Sequence, residues 1–341
     1  MKDIRNYSLL AHNTFGIEAS CDRFIEYTTE AEAQEAACVI TSSEKPFLIV
    51  GEGSNLLLTS DFAGVVVHSA IKGIDVVPSP TTDANHVYVR CGSGVVWDDV
   101  VAYSVEQGWH GAENLSLIPG EVGASAVQNI GAYGAEAKDL VWSIEAIEIA
   151  TGKSVVISNA DCHYAYRQSR FKNEWHNRYL ITYVTYRLSL TFNPDLDYGN
   201  IRHSLEQKGI AEPTAQQLRD TIIDIRQQKL PDPKVMGNAG SFFMNPIVSR
   251  EVYEHLAAQY EEMPHYVVDA DHIKIPAGWM IEQCGWKGAT LGRAGVHDRQ
   301  ALVLVNRGGA TGADVVCLYK RIISDVQQKF GIEIHPEVNV I

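Results

Sequence analysis

The chain has 341 residues, which at roughly 150 residues per domain allows two or three domains. Hydrophobic residues make up 45% and charged residues 21%, an ordinary globular balance that excludes wholesale disorder. Twenty-eight Lys+Arg against 42 Asp+Glu give a net charge of −14. A surface this acidic argues against nucleic acid or an anionic membrane as partner, but not against one anionic ligand held in one basic pocket.

Thr29 and Glu32 form a capping box that predicts a helix through about Ser42. Pro46 leads into the apolar run 47–50, a buried-strand pattern ending at Gly51. Further strands are predicted at 65–67, 87–91, 144–149 and 154–157. A helix is predicted over 97–107, stopping at Gly108, the usual left-handed cap residue. Alternation over 179–192 predicts one long strand. From 193 to 213 the composition turns to Pro, Asp, Gly, Asn and charge, and predicts an excursion or linker. Thr214 and Gln217 cap a helix ending near Lys229, which Pro231-Asp232-Pro233 breaks. Residues 234–310 read as a second, smaller unit with a strand at 301–305. Val315, Val316, Tyr319, Ile322, Ile323 and Val326 recur at helical spacing and predict an amphipathic helix over 313–330, ending at Gly331. A short strand at 332–334 and a tail complete the chain.

No apolar run approaches the roughly 18 residues of a spanning helix, and the first residues lack the continuous apolar stretch of a signal peptide. Six scattered cysteines without a Cys-x-x-Cys pair point to reduced thiols and a cytoplasmic location. No metal-ligand spacing is present, so no metal is expected.

Two glycine-rich segments carry the chemistry. In Gly51-Glu52-Gly53-Ser54-Asn55-Leu56 the glycines let backbone amides approach a phosphate, and Ser54 and Asn55 add donors. The third glycine of a dinucleotide fingerprint is replaced by Leu56, and no Gly-Lys-Ser/Thr makes it a P-loop. Taken alone, it also fits a tight turn after a strand. The second segment, 118–134, is so rich in Gly and Ala that no ordinary helix or strand is expected there. It suits backbone wrapped around a ligand, with Gln128 and Asn129 as donors and Tyr133 as a flat surface, or else a structural loop.

Together these segments resemble the FAD-binding domain of the vanillyl-alcohol-oxidase (PCMH) type. More narrowly, they resemble the UDP-N-acetylenolpyruvoylglucosamine reductase (MurB) family. Three further stretches carry the likeness: Tyr166-Arg167-Gln168-Ser169-Arg170-Phe171-Lys172, Gly237-Asn238-Ala239-Gly240-Ser241-Phe242-Phe243, and Pro336-Glu337-Val338. The likeness runs from about Asn13 to Val338. It implies an α+β fold with a two-part FAD-binding domain over 1–192 and a loop with a linker helix over 193–230. A smaller α/β substrate-binding domain over 231–330 and a tail over 331–341 returning to the active site follow. Non-covalent FAD would be held by Gly51, Gly53, Ser54, Asn55, Leu56, Ile118, Pro119, Gly123, Ala124, Val127, Asn129, Gly131, Ala132 and Tyr133.

The activity the resemblance implies is NADPH-dependent reduction, through FAD, of the enolpyruvyl group of UDP-N-acetylglucosamine enolpyruvate to UDP-N-acetylmuramate, in peptidoglycan precursor synthesis. The matched catalytic positions are Arg167, Ser241 and Glu337. Arg167 suits the charge developing beside a carboxylate, being planar, always charged and able to offer two donors. Ser241 is in the proton donor's position; an unassisted serine is a weak acid, so it needs a charged neighbour or relay, for which Lys229 stands in the family's place. Glu337 would orient the enolate side, in a protonated state that requires burial. Implied substrate contacts are Tyr198, Lys229, Asn245, Lys287 and Gln300. Tyr198, in a loop that closes over the UDP-sugar, places the chain in the family's longer branch. Lys229, Lys234, Lys274 and Lys287 are the cations available to a diphosphate. Two positions depart from the pattern: Asn339, where some relatives have a basic residue, and Met244, where Lys is common. The expected partners are the UDP-sugar and NADPH, with no nucleic acid or membrane, and the expected state is a monomer.

A sugar or alcohol oxidase on the same flavin domain is the first alternative, but neither glycine segment holds a His or Cys for covalent FAD. A non-catalytic nucleotide-binding protein is the second, and it predicts a colourless protein.

Overall fold

Three parallel strands form the heart of the N-terminal sheet, which orders Lys2–Ser8, Ser20–Tyr27, Phe62–Ser69 and Phe47–Val50 in a computed structural model of residues 1–341. Val65, Val66 and Val67 of the central parallel strand are almost wholly buried, as a strand covered on both faces requires. The helix Glu30–Ser42 packs Ala33, Ala36 and Ile40 on this sheet, and Thr29 caps it by accepting a hydrogen bond from the Glu32 amide.

A second, antiparallel sheet orders Lys153–Ser158, Val141–Glu148, Tyr179–Ser189, His86–Gly92 and Ile74–Val77. Its core receives Trp97, Val100 and Val101 of the helix Trp97–Glu106 and Val122 and Ala126 of the helix Val122–Gln128. Both sheets belong to one compact unit, Met1–Tyr7, Cys21–Glu52 and Phe62–Gln227.

The other unit gathers Ser8–Ser20, Gly53–Asp61 and Gln228–Ile341. Its main sheet orders Asn238–Ser241, Val303–Asn306, Ala294–Val296 and Thr290–Leu291, covered by the helix Gly312–Phe330. That helix buries Val315, Leu318, Ile322 and Val326, carries a full capping box from Thr311 and Asp314, and ends at left-handed Gly331. A small sheet of Ile247–Ser249, His272–Lys274 and Tyr266–Val267 stands beside it in the same unit. Phe15, Leu57, Phe242 and Phe243 join the core, so early chain segments are integral to this unit. Gly53, with φ of +75°, is required here: a Cβ would collide with the His12 carbonyl.

Three expectations are corrected. The stretch 193–213 is not all irregular, because Ile201–Gln207 is a helix whose Ile201 and Leu205 pack on Leu218, Ile222 and Ile225. The Gly/Ala segment contains a true helix, Val122–Gln128. Its small residues serve close packing: a Cβ on Gly123 would sit 3.0 Å from the Ser93 Cβ. The strand expected at 332–334 is absent. The ladder forms instead at Asn339–Val340, which pairs in parallel with Leu56–Leu57.

Candidate functional site

In the first unit the two glycine segments meet. A Cβ on Gly51 would lie 3.0 Å from Glu121 Oε2 and 3.4 Å from the Ala124 Cβ, so the glycine keeps this surface low. Glu52 accepts a hydrogen bond of 2.9 Å from the Gly120 amide, tying the segments together. The helix Val122–Gln128 buries Val122, Gly123, Ser125 and Ala126 and leaves Ala124 exposed. Pro119 is exposed and Ile118, Val127 and Ala132 are half-buried, so the expected FAD residues of this unit form a shelf of small side chains.

Asn129 is fully buried in the left-handed conformation, φ +48°. Its Nδ2 donates to Ala165 O at 2.9 Å and Glu136 Oε2 at 3.2 Å, and its Oδ1 accepts from the Lys138 amide at 3.0 Å. Its side chain is therefore committed to the loop, and its backbone amide closes the helix by donating to Ser125 O. Tyr133, also left-handed at +48°, gives its carbonyl to Asn114 at 2.8 Å. Gly199 faces the Tyr133 ring and Tyr198 lies against Gly134, so the tyrosine loop and this glycine segment adjoin.

Arg167 is half-buried with φ of +56°, an uncommon backbone for a non-glycine residue and the kind that collects at functional sites. Its guanidinium donates 2.8 Å to Gly131 O. Arg226, which stands in none of the motifs, is brought by the helix Ala215–Lys229 within electrostatic reach of both Arg167 and Tyr133. Burial, and the like charge of Arg167, hold the Arg226 guanidinium below its usual value, while Tyr133 and Asp98 act the other way. Its Nε is buried without a hydrogen-bond partner. Asp98 does not answer it fully, since that carboxylate already holds Arg219 at 2.7 and 2.9 Å and the Leu117 amide at 2.6 Å. A readable signal did exist: Arg219 and Arg226 stand seven residues apart, on one side of a helix that buries Leu218, Ile222 and Ile225. A buried cation with a spare donor beside a shelf of small residues fits an acceptor-rich, anionic cofactor such as FAD.

In the second unit, the chain's C-terminal segment lies along the Ser241 segment. The Glu337 amide donates to Phe242 O at 2.8 Å and the Met244 amide to His335 O at 3.0 Å. Ser241 is exposed, above fully buried Phe242 and Phe243. Glu337 is half-buried, not enclosed as expected. Asn55 reaches the same place, donating from Nδ2 to Glu337 O at 3.3 Å, while Asn339 donates to Asn55 O at 3.1 Å through both its amide and its side chain. The departure at Asn339 thus serves as a clamp on the Gly53-Ser54-Asn55 segment. Leu56 is buried in the Leu56–Leu57 strand.

The expected substrate contacts of this unit are unevenly placed. Asn245 Oδ1 accepts from the Ala277 amide at 2.9 Å and so starts the helix Ala277–Gln283. Gln300 Oε1 accepts from the Leu302 amide at 3.2 Å, and Lys287 pairs with Glu282 at 2.9 Å. Lys229 and Lys234 are exposed, and Lys274 lies over the Tyr266 ring at 5.5 Å.

Fold and shelf define a flavoprotein, and comparison with known proteins agrees: residues 21–158 match the FAD binding domain family. Residues 232–341 match the C-terminal domain of UDP-N-acetylenolpyruvoylglucosamine reductase. The chain is 55% identical over 340 residues to a UDP-N-acetylenolpyruvoylglucosamine reductase of Bacteroides fragilis, covering 99% of both chains. It is 49% identical over 340 residues to one of Porphyromonas gingivalis, again covering 99% of both. A solved UDP-N-acetylenolpyruvylglucosamine reductase from Thermus caldophilus shares the fold, with a TM-score of 0.67 at 21% identity over 99% of this chain and 98% of that one. The chain belongs to the UDP-N-acetylenolpyruvoylglucosamine reductase family, and it is an FAD-dependent oxidoreductase of α+β fold. No helix is long and apolar enough to cross a membrane.

Proposed function

We propose that the protein reduces the enolpyruvyl group of UDP-N-acetylglucosamine enolpyruvate to UDP-N-acetylmuramate, with NADPH as hydride donor. It does so in the cytoplasm, as a monomer, on the route to peptidoglycan precursors. The observation that carries this reading is family likeness along 99% of the chain with Arg167, Ser241 and Glu337 all retained in their motifs. Residues 1–192 serve the cofactor and 231–330 the substrate.

FAD, when bound, supplies hydride transfer to the substrate's vinyl carbon. Arg167 holds the substrate carboxylate and stabilises the charge that spreads into it, a task its left-handed backbone and its bond to Gly131 O fit by fixing its direction. Ser241 Oγ delivers the proton to the neighbouring carbon, with Lys229 as its relay. Glu337 orients the enolate side; its backbone is pinned to Phe242 O, one residue from Ser241. Arg226 joins the FAD-binding set as the shelf's buried cation. Tyr198, Asn245, Lys287 and Gln300 contact the substrate. Asn245 and Gln300 do so with their remaining polar atoms, because one oxygen of each already accepts a backbone amide.

The test is anaerobic. NADPH should bleach the yellow protein, and UDP-N-acetylglucosamine enolpyruvate should then restore the colour. Bleached protein that this substrate fails to reoxidise would overturn the proposed reaction.

A further inference from the structure

Two carboxylates, Glu52 and Glu121, flank the place where the glycine segments meet, although the cofactor assigned there is an anion. Glu52 is answered by the Gly120 amide. Glu121, 8% exposed and with an oxygen 3.0 Å from where a Gly51 Cβ would stand, is answered by His68. His68 Nε2 lies 3.1 and 3.2 Å from the two Glu121 oxygens, and its Nδ1 lies 3.1 Å from Glu26 Oε2. The imidazole is 7% exposed and Glu26 9%, so both carboxylate contacts are sheltered from water. His68 is the penultimate residue of the parallel strand Phe62–Ser69, with Glu26 opposite it on one neighbouring strand and Val50, which precedes Gly51, on the other. The bracket therefore sits at the carboxyl ends of parallel strands, where open sheets of this kind receive their ligands.

A neutral imidazole has one N–H and cannot donate to two carboxylates; imidazolium can. We infer that His68, as imidazolium, is a positioning residue for FAD: it holds and neutralises Glu121 at the glycine segments, so that an anionic cofactor can bind beside it. The inference rests on FAD binding in this domain and adds a control on its affinity.

Glu26 also pairs with Lys2 from the adjoining strand. Tyr27, beside Glu26, donates its hydroxyl to Ile181 O and feels Glu121 electrostatically. Phe24 stacks on the imidazole at 6.3 Å, and Tyr7 stacks on Phe24 at 4.1 Å. Burial works against the imidazolium, but Glu121 and Glu26 outweigh it and hold His68 above its ordinary value. The clamp is therefore complete below about pH 6.5 and is lost as pH rises through the elevated value in the folded protein. Once His68 is neutral, Glu121 is an uncompensated carboxylate facing an anion.

The experiment dilutes the FAD-loaded protein into buffers at about pH 6 and about pH 9 and reads released FAD by its fluorescence. Wild type should bind FAD about tenfold more weakly at the higher pH, the size of one lost charge-assisted contact. His68→Gln, which cannot carry the charge, should be about tenfold weaker at the lower pH and flat between the two. Glu121→Gln should also be flat, with affinity at the higher pH no lower than wild type. If His68→Gln does not fold, Glu121→Gln alone decides the matter. Tight but pH-independent binding in wild type, or an unchanged pH slope in either variant, overturns the inference alone. Absence of FAD binding at both pH values overturns the FAD assignment and the inference with it.

Discussion

In the first unit the glycine segment is fixed by buried polar side chains, whereas in the second Ser241 and Glu337 ride on paired backbone above an aromatic floor. Asn114 holds the carbonyls of Tyr133 and Asp195 at 2.8 and 3.0 Å, Asn129 makes three bonds, and Ser169 donates to Val127 O at 2.6 Å. The floor of the second unit is Phe15, Phe242 and Phe243, all within 1% of complete burial, with Phe15 and Phe242 edge to face at 6.5 Å. The contrast teaches where each region is brittle. Removing a polar anchor strands one buried partner and disturbs a loop. Removing a floor ring opens a cavity that the whole unit feels.

Ser241→Ala tests the upper side of the floor. Ser241 is exposed, so this variant should keep the wild-type melting temperature and flavin spectrum. Its turnover should fall by on the order of 10²–10⁴-fold, the usual worth of a proton donor. Steady-state kinetics with the proposed substrate reads it, and a loss of less than fivefold would falsify the donor role. Phe242→Ala should lower unfolding free energy by about 3–5 kcal/mol in denaturant titration. Asn129→Gly keeps the left-handed backbone easy and removes the three side-chain bonds, so its expected loss is about 1–3 kcal/mol together with faster FAD release. A loss as large as that of Phe242→Ala would break the contrast between the units. Thr311→Ala removes only the cap of Gly312–Phe330 and sets the scale, at about 1 kcal/mol by thermal melting.

Much of the fold was legible because local signals agreed. Thr29 and Thr214 each sit where a helix begins, and Val315, Ile322 and Val326 repeat at the period of the face they bury. The helix Ile201–Gln207 was hidden because only Ile201 and Leu205 are apolar enough to mark it. The helix at Val122 was hidden because Pro119, Gly120 and Gly123 read as breakers, although the smallness of Gly123 is what lets this helix approach Ser93. Ile332 and Ile334 alternate correctly for a strand, but both are buried in the core and no ladder partner reaches them. The strand at Asn339 depends on Leu56, far away in the chain, and no local pattern can announce that. Among site residues, Arg167, Ser241 and Glu337 were visible only as members of motifs. Arg226 and His68 have no motif: helical spacing from Arg219 marks the first, and tertiary neighbours alone give the second its meaning.

The pairing of Asn55 with Glu337, 282 positions apart, has a consequence for synthesis on the ribosome. At about 5–20 residues per second, the loop segment bearing Asn55 waits roughly 15 to 60 s for its partner. The first unit is translated in full by Gln227, so it can close while Gly53–Asp61 still lacks the strand that satisfies it. Leu57, wholly buried in the finished unit, has no completed core to enter during that interval. The order of translation thus makes this short segment the part of the early chain that gains its packing partners last.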